Sequence, residues 1–112
     1  MSSTPPEAGL KARLSHALAD AKQRRDLTSV AGLRAAFVAL DEAETIQLPG
    51  EAGSILAMGL APSHIPLGEH GVRRLLMRLR DEREQAASQA DPVRARRLRG
   101  EAAALSDVLT EA

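Results

Sequence analysis

The 112-residue chain contains no cysteine, tryptophan or tyrosine, and Phe37 is its one aromatic residue. The absence of cysteine excludes disulfides, thiol catalysis and thiolate metal ligands, and it is compatible with a reducing cytosol. Fifteen basic and 15 acidic residues give zero net charge, so no overall field would steer the chain to nucleic acid or to a membrane. The sequence has no 18-residue apolar run and no signal-peptide pattern. We therefore expect a cytoplasmic protein without a membrane span.

The apolar residues are mostly alanine, leucine and valine, a composition that favours closely packed helices over a sheet. Apolar residues recur every three or four positions in four segments, and this spacing predicts four helices. The first helix is expected at about 10–25 and the second directly after a break at 26–27. The third is expected at about 69–90, and the fourth begins after Asp91.

Two of these helices carry recognisable starting signals. Thr28 and Ser29 precede the apolar face of the second helix, where a hydroxyl can accept from an unpaired backbone N–H. Asp91-Pro92 supplies a cap and a first-turn proline for the fourth helix. The residues expected in the core are Val30, Leu33, Phe37 and Leu40 in the second helix, and Leu98, Ala102, Leu105 and Leu109 in the fourth.

The remaining segments define the organisation of the chain. Residues 1–8 are expected to be a flexible tail and 9–112 a single helical domain. Proline and glycine are concentrated at about 45–68, which predicts a long loop. Because the links at 26–27 and 91–92 are very short, the helices that they join should be antiparallel. The sequence thus predicts an all-α fold of about four helices, in two antiparallel hairpins joined by the long loop.

The order and spacing of several residues resemble the YqeY-like family, which is related to the tail domain of the amidotransferase B subunit. In that family an aspartate is followed by an apolar residue, by Leu-Arg and by an alanine-rich helix that ends on glutamate. The similarity covers roughly residues 10–44 and 69–109. The matching residues are Asp26, Val30, Leu33, Arg34 and Glu44, then Glu82, Arg83, Ala86 and Ala87, then 97–102 with Leu105 and Leu109.

The resemblance implies a short form of the family that contains the first helical subdomain only. It implies a non-catalytic accessory protein that binds tRNA or a protein partner in connection with tRNA-dependent amidotransferases. Two alternatives stay open. One is a component of a carbon–nitrogen ligase with glutamine as nitrogen donor. The other is a homodimeric helical interaction protein, with Phe37 or the apolar run 55–60 at its interface.

No catalytic, metal or cofactor motif is recognised in the sequence. His64 and His70 lie six residues apart and lack the converging ligands that a metal requires, so we expect exposed histidines and no metal. Ser63 beside His64 lacks the strand–serine–helix context of a nucleophile. The matched residues that are expected to be structural are Asp26, Leu33, Arg34, Glu44, Arg83 and Glu101. In particular, Arg34 is expected to clasp a carboxylate such as Glu101, so that Arg34→Ala would cost about 1–3 kcal/mol.

Arginine is concentrated on the third and fourth helices, and guanidinium groups pair well with phosphates. The candidate contacts to nucleic acid or to a protein partner are Arg73, Arg74, Arg78, Arg80, Arg94 and Arg96. The alternative is a solvent-exposed face on which the arginines form local ion pairs: Arg78–Glu82, Arg80–Glu84 and Arg97–Glu101. The lack of tyrosine and tryptophan removes the usual platform for base stacking.

Overall fold

A computed structural model describes residues 9–45 and 66–110 of the chain. Within these two ranges the structure has four α-helices and no strand, which confirms the all-α fold. The helices are α1 (Leu10–Gln23), α2 (Leu27–Glu44), α3 (Glu69–Ser88) and α4 (Pro92–Thr110). The predicted tail at 1–8, most of the predicted loop at 45–68 and the apolar run at 55–60 lie outside the described residues.

Contacts between helix ends show that both helix pairs are antiparallel. Lys11 near the start of α1 forms an ion pair with Glu44 at the end of α2. Arg73 near the start of α3 donates through Nη1 to the carbonyl oxygen of Leu109 near the end of α4, over 3.3 Å. The two predicted hairpins are therefore confirmed. The fourth helix, α4, contacts each of the other three helices.

The core is built from small and branched side chains on all four helices. Val30, Leu33 and Leu40 on α2 are buried as predicted, whereas Phe37 is only partly buried and packs against the edge of the core. Phe37 therefore does not form the exposed aromatic patch that a Phe37-centred dimer interface would require. The largest fully buried side chains are Leu10, Leu14, Leu33, Val72, Leu76, Leu105 and Val108.

The turn between α1 and α2 is short because the C-terminal cap of α1 is followed directly by the N-terminal cap of α2. Arg25 has a φ of 56°, in the left-handed region. Its N–H bonds to the carbonyl of Lys22, and the N–H of Asp26 bonds to the carbonyl of Ala21, which together form a Schellman motif. Asp26 then caps α2 by accepting from the backbone N–H of Ser29. The prediction of a Thr28 or Ser29 hydroxyl as the cap is thus wrong.

The predicted cap of α4 is confirmed, whereas the burial of one charged residue on α1 is unexpected. The backbone N–H of Arg94 donates to the Asp91 carboxylate over 3.0 Å, as expected for the predicted cap. Arg13 of α1, a charged residue of a type that is mostly found at the surface, is instead buried. Its Nε atom is buried without a hydrogen-bond partner among the described residues. Such a burial costs free energy that the surrounding packing must offset.

Candidate functional site

The predicted cationic residues of α3 divide between two sides of the helix. Arg74 and Arg78 are exposed and lie one turn apart. They border two shallow grooves that run on either side of them. One groove is lined by Arg74, Met77, Arg78, Asp81, Glu82 and Gln85. The other, between α3 and the end of α2, is lined by Ala43, Leu67, Gly71, Arg74, Leu75 and Arg78.

The other arginines of α3 are engaged within the protein. Arg73 reaches the carbonyl of Leu109, as described above. Arg80 pairs with the neighbouring Asp81, with Nη2 and Oδ1 3.0 Å apart. Arg83 donates through Nε to Glu101 of α4 over 2.8 Å, and both side chains are largely buried. These three residues therefore tie α3 to α4 or to itself, whereas Arg74 and Arg78 have no ion-pair partner among the residues that the structure describes.

The arginines of α4 are exposed but do not continue this surface. Arg94 and Arg96 lie in the first turns of α4 and are exposed. Arg99 borders a different groove, which it shares with Glu84 and Asp107. Because α3 and α4 are antiparallel, the start of α4 with Arg94 and Arg96 lies near the end of α3, away from Arg74 and Arg78. The predicted cationic residues do not come together as one continuous basic face.

Two of the three predicted ion pairs within single helices are replaced by other partners, and the third, Arg78–Glu82, is not among the ion pairs of the described residues. Arg80 contacts Asp81 rather than Glu84. Glu101 pairs with Arg83 on the neighbouring helix rather than with Arg97 on its own helix. The expected clasp between Arg34 and Glu101 is also wrong, because Arg34 is exposed on α2. Consequently, the expected loss of stability on Arg34→Ala no longer has a physical basis.

Two glutamates hold the helix ends together at one end of the bundle. Buried Glu44 accepts from Lys11 and, over 2.8 Å, from the backbone N–H of Leu67 just before α3. Both carboxylate oxygens of Glu69 lie 3.0 Å from the backbone nitrogen of Leu10, at the start of α1. Because Gly9 has no side chain to cap α1, Glu69 takes that role across the fold. Sequence reasoning missed the Glu69 contact, since nothing local to residue 10 predicts it.

The pKa of Asp26 clearly departs from its ordinary value. The Ser29 hydroxyl donates to Oδ2 over 2.7 Å and the Ser29 N–H donates to Oδ1 over 3.2 Å. These bonds favour the charged carboxylate and lower the pKa of Asp26, with a smaller contribution from the charge of Arg24. This is the chemistry of a helix cap, and it marks Asp26 as a structural residue.

Within residues 9–45 and 66–110, no group of three or more histidine, aspartate or glutamate side chains could hold a metal ion. His70 is exposed in the first turn of α3, and His64 lies outside those ranges. None of the helices between residues 9 and 110 that the structure describes is long and apolar enough to cross a membrane.

Comparison of the chain with protein-family models, with curated proteins and with solved structures finds no match. The resemblance to the YqeY-like family therefore stays a prediction that rests on the residues quoted above.

Proposed function

We propose that this chain is a non-catalytic helical binding protein of the YqeY-like type, and that it engages a protein partner through the outer face of α3. The observation that carries the proposal is the pair of exposed arginines, Arg74 and Arg78, with a shallow groove on each side. Free guanidinium groups beside exposed apolar surface are typical of binding surfaces between proteins. Met77, an exposed and adaptable side chain, lies in one of these grooves.

The charge order along α3 favours a protein over a nucleic acid as the partner. Arg74 and Arg78 are followed within one turn by Asp81 and Glu82 in the same groove. A phosphate backbone that followed the helix axis past the arginines would meet these carboxylates, which repel it. A protein surface can place an acidic group against the arginines and a basic group against the carboxylates. The neutral net charge and the absence of tyrosine and tryptophan support the same choice.

The test is a binding experiment with matched charge reversals. R74E/R78E changes the proposed surface, and R94E/R96E makes the same change in charge on the exposed start of α4. We expect cross-linking and mass spectrometry of complexes from a cell extract to recover a protein partner with the wild type and with R94E/R96E. Loss of that partner with R74E/R78E alone supports the proposal, whereas equal recovery with both variants contradicts it.

Two further measurements separate the proposal from tRNA binding and from carbon–nitrogen ligation. In a tRNA titration, a fall in affinity between about 50 mM and about 200 mM salt would assign the arginines to phosphate contacts instead. Glutamine- and ATP-dependent turnover by the purified chain alone would assign it to the carbon–nitrogen ligases. We expect neither result for this chain.

A further inference from the structure

The second helix, α2, exposes an apolar face opposite to the one that packs in the core. Val30, Leu33 and Leu40 face the core. On the other side Leu27 is 79% exposed and Val38 is 58% exposed. A helix with apolar residues on two sides has more surface to bury than its own domain covers. We define the outer stripe of α2 as the exposed residues at spacings of four, three, four and four: Leu27, Ala31, Arg34, Val38 and Glu42.

The two charges of the outer stripe are placed symmetrically about Val38. Arg34 lies four residues before Val38 and Glu42 lies four residues after it, so each is one helical turn away. Both side chains are exposed. Arg34 and Glu42 are thus opposite charges at equal distances from an exposed apolar residue. Such an arrangement is complementary to itself after a two-fold rotation about Val38.

We propose that the outer stripe of α2 binds the outer stripe of a second copy of this chain, with the two helices antiparallel and the two-fold axis at Val38. In this register the two Val38 side chains face each other. Each Arg34 then faces Glu42 of the other copy, so that two equivalent ion pairs flank the apolar centre. Ala31 then lies opposite Thr45, directly after the end of α2 in the other copy, and Leu27 lies beyond the overlap of the two helices. A parallel arrangement in register would instead bring Arg34 against Arg34 and Glu42 against Glu42, which disfavours it.

The size of the stripe sets the strength of the association. In this register the two helices overlap over residues 32–44, about three and a half turns, and such an overlap buries less than the roughly 800 Å² per partner of a standard interface. We therefore expect a reversible dimer that forms as the protein concentration rises. The ion pairs should determine the register of the two helices and add little to the affinity. The surface is separate from Arg74 and Arg78 on α3, so the dimer does not depend on the proposed function.

The experiment measures mass by sedimentation equilibrium from about 10 µM to about 1 mM, a range that covers weak dimers. The variants are R34E, E42R, the double variant R34E/E42R and V38E. R96E is the matched control for R34E, because Arg96 is an exposed arginine on α4. Circular dichroism establishes that each variant keeps the helical content of the wild type.

We expect wild type and R96E to dimerise equally, and R34E, E42R and V38E each to weaken the dimer at least about tenfold through like charges at the interface. The double variant R34E/E42R should regain the dimer, because the exchanged charges attract again. An equimolar mixture of R34E and E42R should form heterodimers, although each is monomeric alone. A wild type that is monomeric throughout, or a dimer that R34E and E42R leave unchanged, overturns the proposal. Failure of the double variant and of the mixture to recover overturns the register.

Discussion

Nε of Arg83 on α3 donates a hydrogen bond to Oε1 of Glu101 on α4 over 2.8 Å, and the two side chains are only 17% and 12% exposed. Nη1 of Arg83 also approaches the carbonyl oxygen of Leu79 on its own helix. The pair therefore joins the two helices of the second hairpin in a site that is partly shielded from water. Since shielding strengthens the attraction and raises the cost of an unpaired charge, this ion pair differs from those on the surface.

Removal of one partner of this pair should destabilise the fold. We expect Arg83→Met or Glu101→Met to lower the free energy of unfolding by about 2 kcal/mol, because each leaves a shielded charged group without its partner. The measurement is urea unfolding followed by circular dichroism. The double variant R83M/E101M should recover part of the loss, since it leaves no unpaired charge.

Arg80→Met is the matched control for this prediction. Arg80 pairs with Asp81, whose side chain is 63% exposed, so the change should stay within about 0.5 kcal/mol. A loss on Arg80→Met as large as that on Arg83→Met would mean that burial of the carboxylate partner is not what distinguishes the two ion pairs.

The left-handed residue at the end of α1 offers a stabilising substitution. Arg25 has a φ of 56°, which costs a side-chain-bearing residue roughly 1 kcal/mol and costs glycine little. We expect Arg25→Gly to raise the free energy of unfolding by about 0.5–1 kcal/mol and to raise the melting temperature. Gln23→Gly, two residues earlier in the last turn of α1, should lower it by a similar amount. A destabilised Arg25→Gly variant would show that the Arg25 side chain contributes more than its backbone costs.

The lowered pKa of Asp26 predicts a specific loss of stability in acid. Its pKa in the folded protein lies below its unfolded value of about 4, so the carboxylate stabilises the fold above that pH. This contribution should disappear as the pH falls through the folded pKa. In urea unfolding at a series of pH values below about 5, the decline should be smaller for Asp26→Asn than for the wild type.

Ser29→Ala tests the cause of the lowered pKa, because it removes the hydrogen bond from the Ser29 hydroxyl and keeps the Asp26 carboxylate. We expect it to move the pKa of Asp26 up towards the ordinary value in an NMR titration of the carboxyl group. An unchanged titration of Asp26 in Ser29→Ala would exclude the hydroxyl as the main cause of the lowered pKa.

The sequence predicted those features of the fold that depend on neighbours along the chain. The helices follow from apolar spacing, and Asp91 caps α4 because its carboxylate needs only the N–H of Arg94, three residues on. The α2 cap was misassigned by two or three residues because Asp26, Thr28 and Ser29 can all accept from a first-turn N–H. The Asp26 carboxylate takes that role, and the Ser29 hydroxyl donates to it.

Contacts between distant helices could not be predicted in this way. The partner of Glu101 did not follow from the sequence, because the angles at which helices cross decide whether Arg34, Arg97 or Arg83 reaches it. The contact of Glu69 could not be predicted either, because its carboxylate accepts from the N–H of Leu10, 59 positions away in the sequence. Of the candidate contacts, Arg74 and Arg78 share one surface because they are one turn apart on the same helix. Their separation from the arginines of α4 depends on the packing of whole helices.

Two helical glycines mark the close contact between α2 and α4, and a third provides a control. A Cβ on Gly32 would lie 3.0 Å from the backbone oxygen of Glu101, whereas a Cβ on Gly100 would lie 2.7 Å from Cγ2 of Thr28. A Cβ on Gly71 would have its nearest neighbour at 3.5 Å, an ordinary contact with Leu67.

These distances predict that the substitution of glycine by alanine changes stability differently at the three positions. Since alanine favours a helix over glycine by about 1 kcal/mol, Gly71→Ala should stabilise the protein by nearly that amount. Gly32→Ala should destabilise it, because the backbone of Glu101 cannot move without separating α2 from α4. Gly100→Ala should destabilise it too, but Thr28→Ser in the same chain should restore stability by removing the clashing methyl group. Thermal unfolding of these four variants checks the helix contact. A Gly32→Ala variant as stable as Gly71→Ala would show that α2 and α4 lie further apart than the structure has them.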